Sequence, residues 1–168
     1  MTPADEVLVA RASAADVPEL HRMIRALAEF EKLAHLCTGS EDELGAALGA
    51  DPPHVEALIA RIGPEAVGFA LFFHTFSTFL ARRGLWLEDL FVLPAARGRG
   101  VGKALLRAVA GVAAERGCGR FEWSVLDWNT PAIRFYEGLG AAVLPDWRIA
   151  RVTGDGIARL AAGATRSA

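Results

Sequence analysis

Two adjacent carboxylates, Glu88 and Asp89, stand in the middle of the apolar segment LWLEDLFVLP. This segment predicts a strand over Leu85–Leu93, and alternation along a strand sends neighbouring side chains to opposite faces. Both faces of a helix-covered sheet are normally apolar, so each carboxylate must be paired, neutralised or placed at a cavity. Burial raises the pKa of a carboxyl group, which suits it to take a proton from an amine. The pair is therefore predicted to be functional. The alternative is a charged residue at the edge of the sheet that has no functional role.

A glycine-rich, basic loop follows the strand and has the sequence Arg97-Gly98-Arg99-Gly100-Val101-Gly102-Lys103. Glycine permits a tight turn, and the free N–H groups at the start of the next helix point out of it. The helix dipole and three cations add positive charge, so the loop is predicted to bind phosphate. A Walker loop is excluded at two positions, Arg97 and Ala104. The dinucleotide fingerprint fails because Lys103 or Leu105 replaces its third glycine. The alternative is a turn that merely joins strand to helix.

Apolar patterning predicts the elements that would position these residues. Strands are expected at Val7–Ala10, Val55–Ile62, Val67–Phe73, Leu85–Leu93, Arg120–Val125 and Trp147–Val152. Helices are expected from Asp16, from Ser40 with Glu43 completing a capping box, over Gly100–Arg116, and from Thr130 to about Gly138. The order β-α-α-β-β-β-α-β-α-β predicts an α/β domain with a mixed sheet, antiparallel first and parallel where helices separate the strands.

Two of these helices carry an apolar stripe. In the first, Val17, Leu20, Ile24 and Leu27 lie on one face, and the next position of that stripe is Glu31. A carboxylate at the end of an apolar face either reaches solvent or lines a site, and this feature alone favours solvent. In the helix after the basic loop, the buried face is predicted to consist of Val101, Leu105, Ala108 and Val112.

Composition limits the classes of protein to consider. The 168 residues, 52% hydrophobic and 23% charged, predict one globular domain over residues 1–168. The net charge of −2 argues against a general nucleic-acid binder. The longest apolar run, 66–73, is too short to cross a membrane, and the first ten residues do not resemble a signal peptide. Cys37 and Cys118 form no motif and the four histidines lack ligand spacing, so a cytoplasmic protein without a metal is expected.

Two motifs together resemble the GNAT superfamily of N-acetyltransferases. They are Arg97-x-x-Gly100-x-Gly102, which is similar to the acetyl-CoA pyrophosphate loop, and Asn129-Thr-Pro-Ala132-Ile-Arg-Phe135-Tyr136-Glu-Gly-Leu-Gly140-Ala. The segments LEDLFVLPAARGRGVGKALL and VLDWNTPAIRFYEGLGA, then Trp147, are similar to the diamine (spermidine/spermine) acetyltransferase family, especially its thialysine acetyltransferase branch. Phe30-Glu31 and residues 76–80 also look like that group, and the resemblance spans roughly 7–160. It implies the GNAT fold, an α/β fold whose mixed central sheet is flanked by helices.

The resemblance also implies where acetyl-CoA binds. The thioester and pantetheine arm would pair with main-chain groups of Leu90, Phe91 and Val92. The pyrophosphate would lie on the loop formed by Arg97, Gly98, Arg99, Gly100, Val101, Gly102 and Lys103. The pantetheine would be held from its other side by Asn129, Pro131 and Ala132.

Catalytic roles follow from the same resemblance. The family's general acid is the Tyr of the Phe-Tyr pair, here Tyr136, which would protonate the leaving thiolate. Packing remains the alternative role for this only Tyr of the chain. Glu88 matches the carboxylate thought to draw the ammonium proton, whereas Asp89 would hold the fold or a cation. The amine site would be bordered by Phe30, Glu31, Glu88, Asp89, Glu122, Trp123, Ser124 and Asp146.

One departure from the family bears on the substrate. Members that prefer polyamines carry an Asp ten residues before the strand Glu, and this chain has Thr78 there. A long polycation gains from several spaced carboxylates, so a short amino-acid-like or other small primary amine is the expected acceptor. Acetylation of a protein or peptide amine, or a non-catalytic acetyl-CoA-binding module, are the alternatives. The family habit implies a homodimer, and no metal, nucleic acid or membrane partner is expected.

Overall fold

The computed structural model describes residues 6–163, which form two compact units that meet in sequence between Ser124 and Val125. Each unit is described by itself. The first contains the strands β1 (Val7–Arg11), β2 (Glu56–Ile62), β3 (Glu65–Ser77), β4 (Arg82–Val92) and β5 (Arg120–Trp123). Its helices are α1 (Val17–Phe30), α2 (Glu41–Gly49) and α3 (Val101–Glu115). The second contains α4 (Thr130–Glu137) and α5 (Asp155–Gly163).

The five strands form one sheet in the order β1-β2-β3-β4-β5. The first four strands pair antiparallel. The last pair, β4 and β5, is parallel, because α3 carries the chain back across the sheet between them. This architecture confirms the predicted mixed sheet, antiparallel first and parallel where a helix separates the strands.

One face of the sheet is covered by α1 and α2. Leu20 and Met23 of α1 are fully buried against Phe69, Leu71 and Phe91 of the strands, and Leu44 and Leu48 of α2 extend this core. The predicted capping box starts α2 as expected, since the Ser40 hydroxyl accepts a hydrogen bond from the Glu43 N–H at 3.2 Å. The apolar stripe thus brings the carboxyl end of α1, and with it Glu31, to this face.

The opposite face is covered by α3. A Cβ atom at Gly68 would lie 2.7 Å from the Phe91 carbonyl oxygen and 3.2 Å from both Val101 and Leu105, so only glycine allows this close approach. The buried face of α3 consists of Val101, Leu105, Leu106, Val109 and Ala113. The prediction was right for Val101 and Leu105 and wrong for Ala108 and Val112. These two are half-buried because the buried stripe advances by four residues from Leu105 to Val109, whereas the prediction advanced by three.

The second unit departs from the predicted order. The segment Trp147–Val152 was expected to be a strand, but it has no regular secondary structure, and the Ala-rich segment after it forms α5. An alternating pattern makes a strand only where a neighbouring strand supplies hydrogen bonds, and the sheet of the described residues ends at β5. Trp147 is 80% exposed and Ile149 is 66% exposed in this conformation.

Candidate active site

A β-bulge in β4 shapes the centre of the candidate site. Leu71 of β3 pairs with Asp89, whereas the next residue, Phe72, pairs with Leu87. Glu88 is therefore an extra residue on β4 that has no partner position on β3. Such a bulge interrupts the alternation of side chains, and this changes where the two carboxylates point.

Glu88 and Asp89 lie on the same face of the sheet, which corrects the prediction of opposite faces. Asp89 shares the face of its partner Leu71, which packs against α1. Trp86 is paired with Phe73 and shares that face too. The Trp86 indole N–H donates a hydrogen bond to Glu88 Oε2 at 2.8 Å, so Glu88 is held on the side of Trp86. The strand prediction was correct, but no residue pattern in the sequence marked the bulge.

Asp89 is the more buried of the two carboxylates. Burial, together with the smaller effects of the negative charges of Glu88 and Glu31, raises its pKa from 3.8 to about 7. Glu88 is exposed and receives the Trp86 hydrogen bond. The raised pKa that the sequence predicted for a buried carboxyl group of this pair is thus found at Asp89.

Glu31 joins this cluster from α1. It follows the last residue of the helix, is half-buried, and has its pKa raised by that burial. Its negative charge contributes to the raised pKa of Asp89. Glu31, Glu88 and Asp89 are defined here as the carboxylate cluster. The cluster agrees with the role that the resemblance implies for Glu31, and the solvent position favoured by the stripe alone is only half correct.

The basic loop has the backbone conformation that its glycines predict. Gly98 and Gly100 have φ angles of 77° and 82°, in the left-handed region, and Gly100 is the residue that precedes α3. No atom lies within 4 Å of the place where a Cβ of either residue would stand. The N–H groups of the first turn of α3 open onto this space, and Arg99 and Lys103 are exposed beside it.

Arg97 has a different position from the rest of the loop. Its guanidinium lies over the Phe30 ring at 4.7 Å and at 5.8 Å from the Phe91 ring centre, and its Nε donates to the Val92 carbonyl at 3.1 Å. The side chain thus ties the loop to the end of α1. Because the guanidinium is engaged in these contacts, the backbone of Arg97 is the part that remains for the predicted pyrophosphate site. Phe30 provides the ring against which the guanidinium packs.

An open strand edge lies between the cluster and the loop. Within the sheet of residues 6–124, β5 pairs with β4 only from Gly84 to Leu87, so β4 runs on alone on that side. The Leu93 N–H donates to Val67 of β3, and peptide directions alternate along a strand. The peptide groups of Leu90 and Val92 therefore face the open edge, whereas those of Phe91 face β3. Of the three residues predicted to pair with pantetheine, Leu90 and Val92 direct their peptide groups to the open edge, where the Val92 carbonyl already accepts the Arg97 hydrogen bond, and Phe91 contributes its ring to the core.

The residues predicted at the end of β5 are less clearly part of a site. Glu122 forms an ion pair with Arg120 Nε at 2.6 Å, which neutralises its charge. Trp123 is half-buried, with its ring 5.0 Å from that of Phe121, and Ser124 is exposed. These residues border the open edge through the pairing of Trp123 with Leu87.

The second unit carries the remaining predicted residues. Asn129 precedes α4 and its side-chain oxygen accepts a hydrogen bond from the Ala132 N–H at 3.3 Å, while Pro131 occupies the first turn. Tyr136 is the buried residue of α4, and its ring lies 5.3 Å from that of Phe135. Asp146 is exposed in a turn.

Sequence reasoning did not identify Trp86 as the hydrogen-bond donor to Glu88. The signal that was available is its spacing of two residues from Glu88, because side chains so spaced share a face of a regular strand.

Among residues 6–163, no cluster of three or more His, Cys, Asp or Glu side chains has the arrangement of a metal site. None of the helices in that range is long and apolar enough to span a bilayer.

Comparison with known proteins identifies the family of this chain and several relatives. Residues 20–141 match the acetyltransferase (GNAT) family. The chain is 37% identical to thialysine N-epsilon-acetyltransferase of Mus musculus over 91% of its own length and 96% of the relative. It is 34% identical to L-ornithine N5-acetyltransferase NATA1 of Arabidopsis thaliana, over 87% and 84% of the two chains.

The fold has close relatives among solved structures. An integron cassette protein from the mobile metagenome of V. cholerae superposes with a TM-score of 0.76 and 26% sequence identity. The superposition covers 92% of this chain and 97% of that one. The likeness therefore extends over nearly the whole of both chains.

Proposed function

Because the chain belongs to the GNAT family of acetyltransferases, it is an N-acetyltransferase, and we propose that its acceptor is a small primary amine of the lysine, thialysine or diamine type. Relatives at this level of identity are named for acetylating thialysine and ornithine, both short amines that carry a charged amino-acid head. The chain covers nearly the full length of the mouse relative, so the comparison concerns whole proteins rather than a shared module.

The observation that carries the proposal is the carboxylate cluster. Glu31, Glu88 and Asp89 bring three acidic groups to one face, and their mutual repulsion contributes to the raised pKa of Asp89. A cationic ligand relieves that repulsion, whereas an anionic or neutral acceptor does not. An ammonium group is the cation that an N-acetyltransferase must receive. The cluster thus supports a small amine that is positively charged in solution.

The basic loop fits the acetyl-CoA that GNAT enzymes use. The left-handed glycines leave their Cβ positions open, and the first N–H groups of α3 with Arg99 and Lys103 supply donors and positive charge for a pyrophosphate. The open peptide groups of Leu90 and Val92 continue from the loop toward the carboxylate cluster. Bound acetyl-CoA would supply an acetyl group activated by its bond to sulfur.

The chain's own residues would then handle the protons. An amine attacks only when neutral, so a carboxylate of the cluster must accept a proton from the ammonium. The family resemblance assigns this step to Glu88. It assigns to Tyr136 the donation of a proton to the departing sulfur, and to Asn129, Pro131 and Ala132 the support of the pantetheine. No metal takes part in the proposed reaction.

Two further proposals concern assembly and compartment. We propose a homodimer, which the family resemblance implies and which agrees with the many exposed apolar side chains of the second unit, among them Leu144, Trp147 and Ile149. We propose the cytoplasm, which agrees with the free thiols of Cys37 and Cys118. Light scattering of the purified protein tests the first of these proposals.

Release of coenzyme A thiol tests the proposed function. The purified enzyme is incubated with acetyl-CoA and, in turn, with thialysine, lysine, ornithine, spermidine and a lysine-containing peptide. We expect the largest kcat/KM among the free amino acids, with none of this release from the Gly100→Asp variant, whose carboxylate would occupy the phosphate position. Preferential acetylation of the peptide would favour the protein-amine alternative. Binding of acetyl-CoA without turnover of any amine would contradict the proposed activity.

A further inference from the structure

Taking the proposed acetyl transfer as its basis, we infer that Asp89, rather than Glu88, accepts the proton of the bound ammonium, and that Glu88 is the fixed anion that holds this ammonium. The same arrangement couples the arrival of the ammonium to the release of a proton that Asp89 carries in the free enzyme. The two carboxylates of β4 thus have different roles, whereas the family resemblance points to Glu88 as the base.

The bulge gives the two carboxylates different surroundings. Asp89 takes the position opposite Leu71, in the row of side chains that continues to Phe69 and Phe91 under α1. Glu88 is the extra residue and is exposed. Its Oε2 already accepts the Trp86 hydrogen bond, which fixes its direction. A carboxylate with a fixed direction can hold an ammonium, and the more buried carboxylate beside it is the group that gains most by taking the proton.

The charges that act on Asp89 are all negative. Glu88 acts from the same strand and Glu31 from the end of α1, and with burial they raise the pKa of Asp89 to about 7. The Arg97 guanidinium lies over the Phe30 and Phe91 rings, and the Arg61 guanidinium is paired with Asp16 and Glu19 at the start of α1. Asp89 is thus about half protonated at neutral pH, in the range where a general base works best. An arriving ammonium reverses the balance of charge and drives the bound proton into solvent.

The proposed step balances as follows. Ionised Asp89 takes one proton from the ammonium, and the freed electron pair on nitrogen forms the bond to the acetyl carbon. The bond from that carbon to sulfur breaks, and its electron pair leaves with sulfur, which is protonated by the acid of the reaction. The nitrogen gives up its second proton to restore that acid, and Asp89 returns its proton to water. The products are the neutral amide, the thiol and one released proton.

Two isosteric variants separate the roles, Asp89→Asn and Glu88→Gln. Each removes one charge and keeps the size of the side chain, and circular dichroism with thermal melting confirms that both are folded. We expect Asp89→Asn to lower kcat with thialysine by about 10²-fold or more. Its pH profile of kcat/KM should also lack the ionisation near 7 that we expect on the acidic side of the wild-type profile. We expect Glu88→Gln to raise KM for thialysine several-fold and to retain most of kcat and that ionisation.

Calorimetry tests the coupled proton directly. Thialysine is titrated at pH 7 into the enzyme saturated with coenzyme A, in two buffers of different ionisation enthalpy. The wild type should release about half a proton per ammonium bound and Glu88→Gln a smaller fraction, because the Glu88 charge that helps to raise the pKa of Asp89 is gone, and Asp89→Asn should release none. A loss of kcat confined to Glu88→Gln, an equal loss in both variants, or binding without proton release in the wild type would each overturn the assignment. Failure of the proposed function is distinct, because the wild type would then acetylate no amine at all.

Discussion

Leu71 of β3 lies directly opposite Asp89 of β4, so a carboxylate takes a place in a row that otherwise belongs to the hydrophobic core. The neighbouring pair in this row is Phe69 and Phe91, whose ring centres are 6.4 Å apart. A carboxyl group in such a position is costly to ionise, and the raised pKa of Asp89 measures that cost. The protein thus retains at this point a group that weakens the fold at neutral pH, as is common where residues are selected for chemistry.

This cost predicts how stability depends on pH. Folding raises the pKa of Asp89 from 3.8 to about 7, so the native state holds the proton more tightly than the unfolded chain. The penalty is absent below pH 3.8, grows as the pH rises toward 7, and is complete above it. Replacing Asp89 with Asn should therefore raise the free energy of unfolding at pH 8 by about 2–4 kcal/mol. Urea denaturation at several pH values measures this difference.

The comparison at low pH is the control for that prediction. Well below pH 3.8 the wild-type carboxyl is protonated in both states, so the variant and the wild type should have nearly equal stability there. A constant difference across the pH range would mean that packing, and not ionisation, separates the two proteins. An unchanged stability at pH 8 would contradict the burial of the charge.

The basic loop predicts a variant with a matched control on the same helix. Gly100 precedes α3 with φ 82° and Gly117 follows it with φ 64°, and neither Cβ position has an atom within 4 Å. An aspartate at either place costs about 1–2 kcal/mol in backbone strain. Only Gly100→Asp adds a negative charge where the first N–H groups of α3 point. Calorimetry should show at least a tenfold loss of acetyl-CoA affinity for Gly100→Asp, and an unchanged affinity for Gly117→Asp.

A third variant, Gly100→Ala, separates the effect of strain from the effect of charge. It shares the backbone strain of Gly100→Asp without its negative charge, and should keep most of the acetyl-CoA affinity. Equal losses in all three variants would indicate that loop rigidity alone matters. Unchanged binding in a folded Gly100→Asp protein would remove the loop from the acetyl-CoA site.

The local patterns in the sequence predicted most of the elements because each depends on neighbouring residues. The capping box at Ser40 and Glu43 and the glycine loop before α3 are of this kind. The bulge at Glu88 is not, since it exists only in the register between β3 and β4. The sequence therefore identified both carboxylates but placed them on opposite faces. It could not decide which of the two is buried.

The expected strand at Trp147–Val152 fails for a related reason. Its alternating side chains satisfy the local requirement, but a strand also needs hydrogen bonds from another strand, and these are a property of the whole fold. The position of Arg97 is likewise non-local, because its ring partner Phe30 is distant in sequence. Neither feature has a pattern that a window of residues can reveal.

An ion-pair network distant from the carboxylate cluster predicts a change in stability alone. Arg116, which ends α3, donates two hydrogen bonds to Glu56 of β2, at 2.5 and 2.8 Å, and Arg11 donates a third at 2.9 Å. These partners hold the pKa of Glu56 below its usual value, Arg116 contributing most. Glu56→Gln should lower the free energy of unfolding at pH 7 by about 1–3 kcal/mol. Since the folded pKa is lowered, this difference should vanish as the pH falls through it, while kcat at neutral pH stays unchanged.

Tyr136 predicts a split between catalysis and binding. The Tyr136→Phe variant keeps the buried ring of α4 and its contact with Phe135, and removes one hydroxyl. If that hydroxyl protonates the departing sulfur, kcat should fall by about 10²-fold while acetyl-CoA affinity is preserved. Steady-state kinetics and calorimetry on the same preparation measure the two quantities. A kcat equal to that of the wild type would assign Tyr136 to packing.

The last prediction concerns substrate length and rests on Thr78. This residue is exposed in the turn between β3 and β4, at the position where polyamine-preferring relatives are expected to carry a carboxylate. Without that charge, a second ammonium of spermidine has no anion there, so thialysine should have the larger kcat/KM. The Thr78→Asp variant should raise kcat/KM for spermidine several-fold, since a second ion pair at an exposed site contributes up to about 1 kcal/mol. Thr78→Asn, which has nearly the same size and no charge, is the control and should change neither substrate. The gain should shrink at high salt because exposed ion pairs are screened. A wild-type preference for spermidine, or an equal gain in both variants, would show that Thr78 does not set the length of the acceptor.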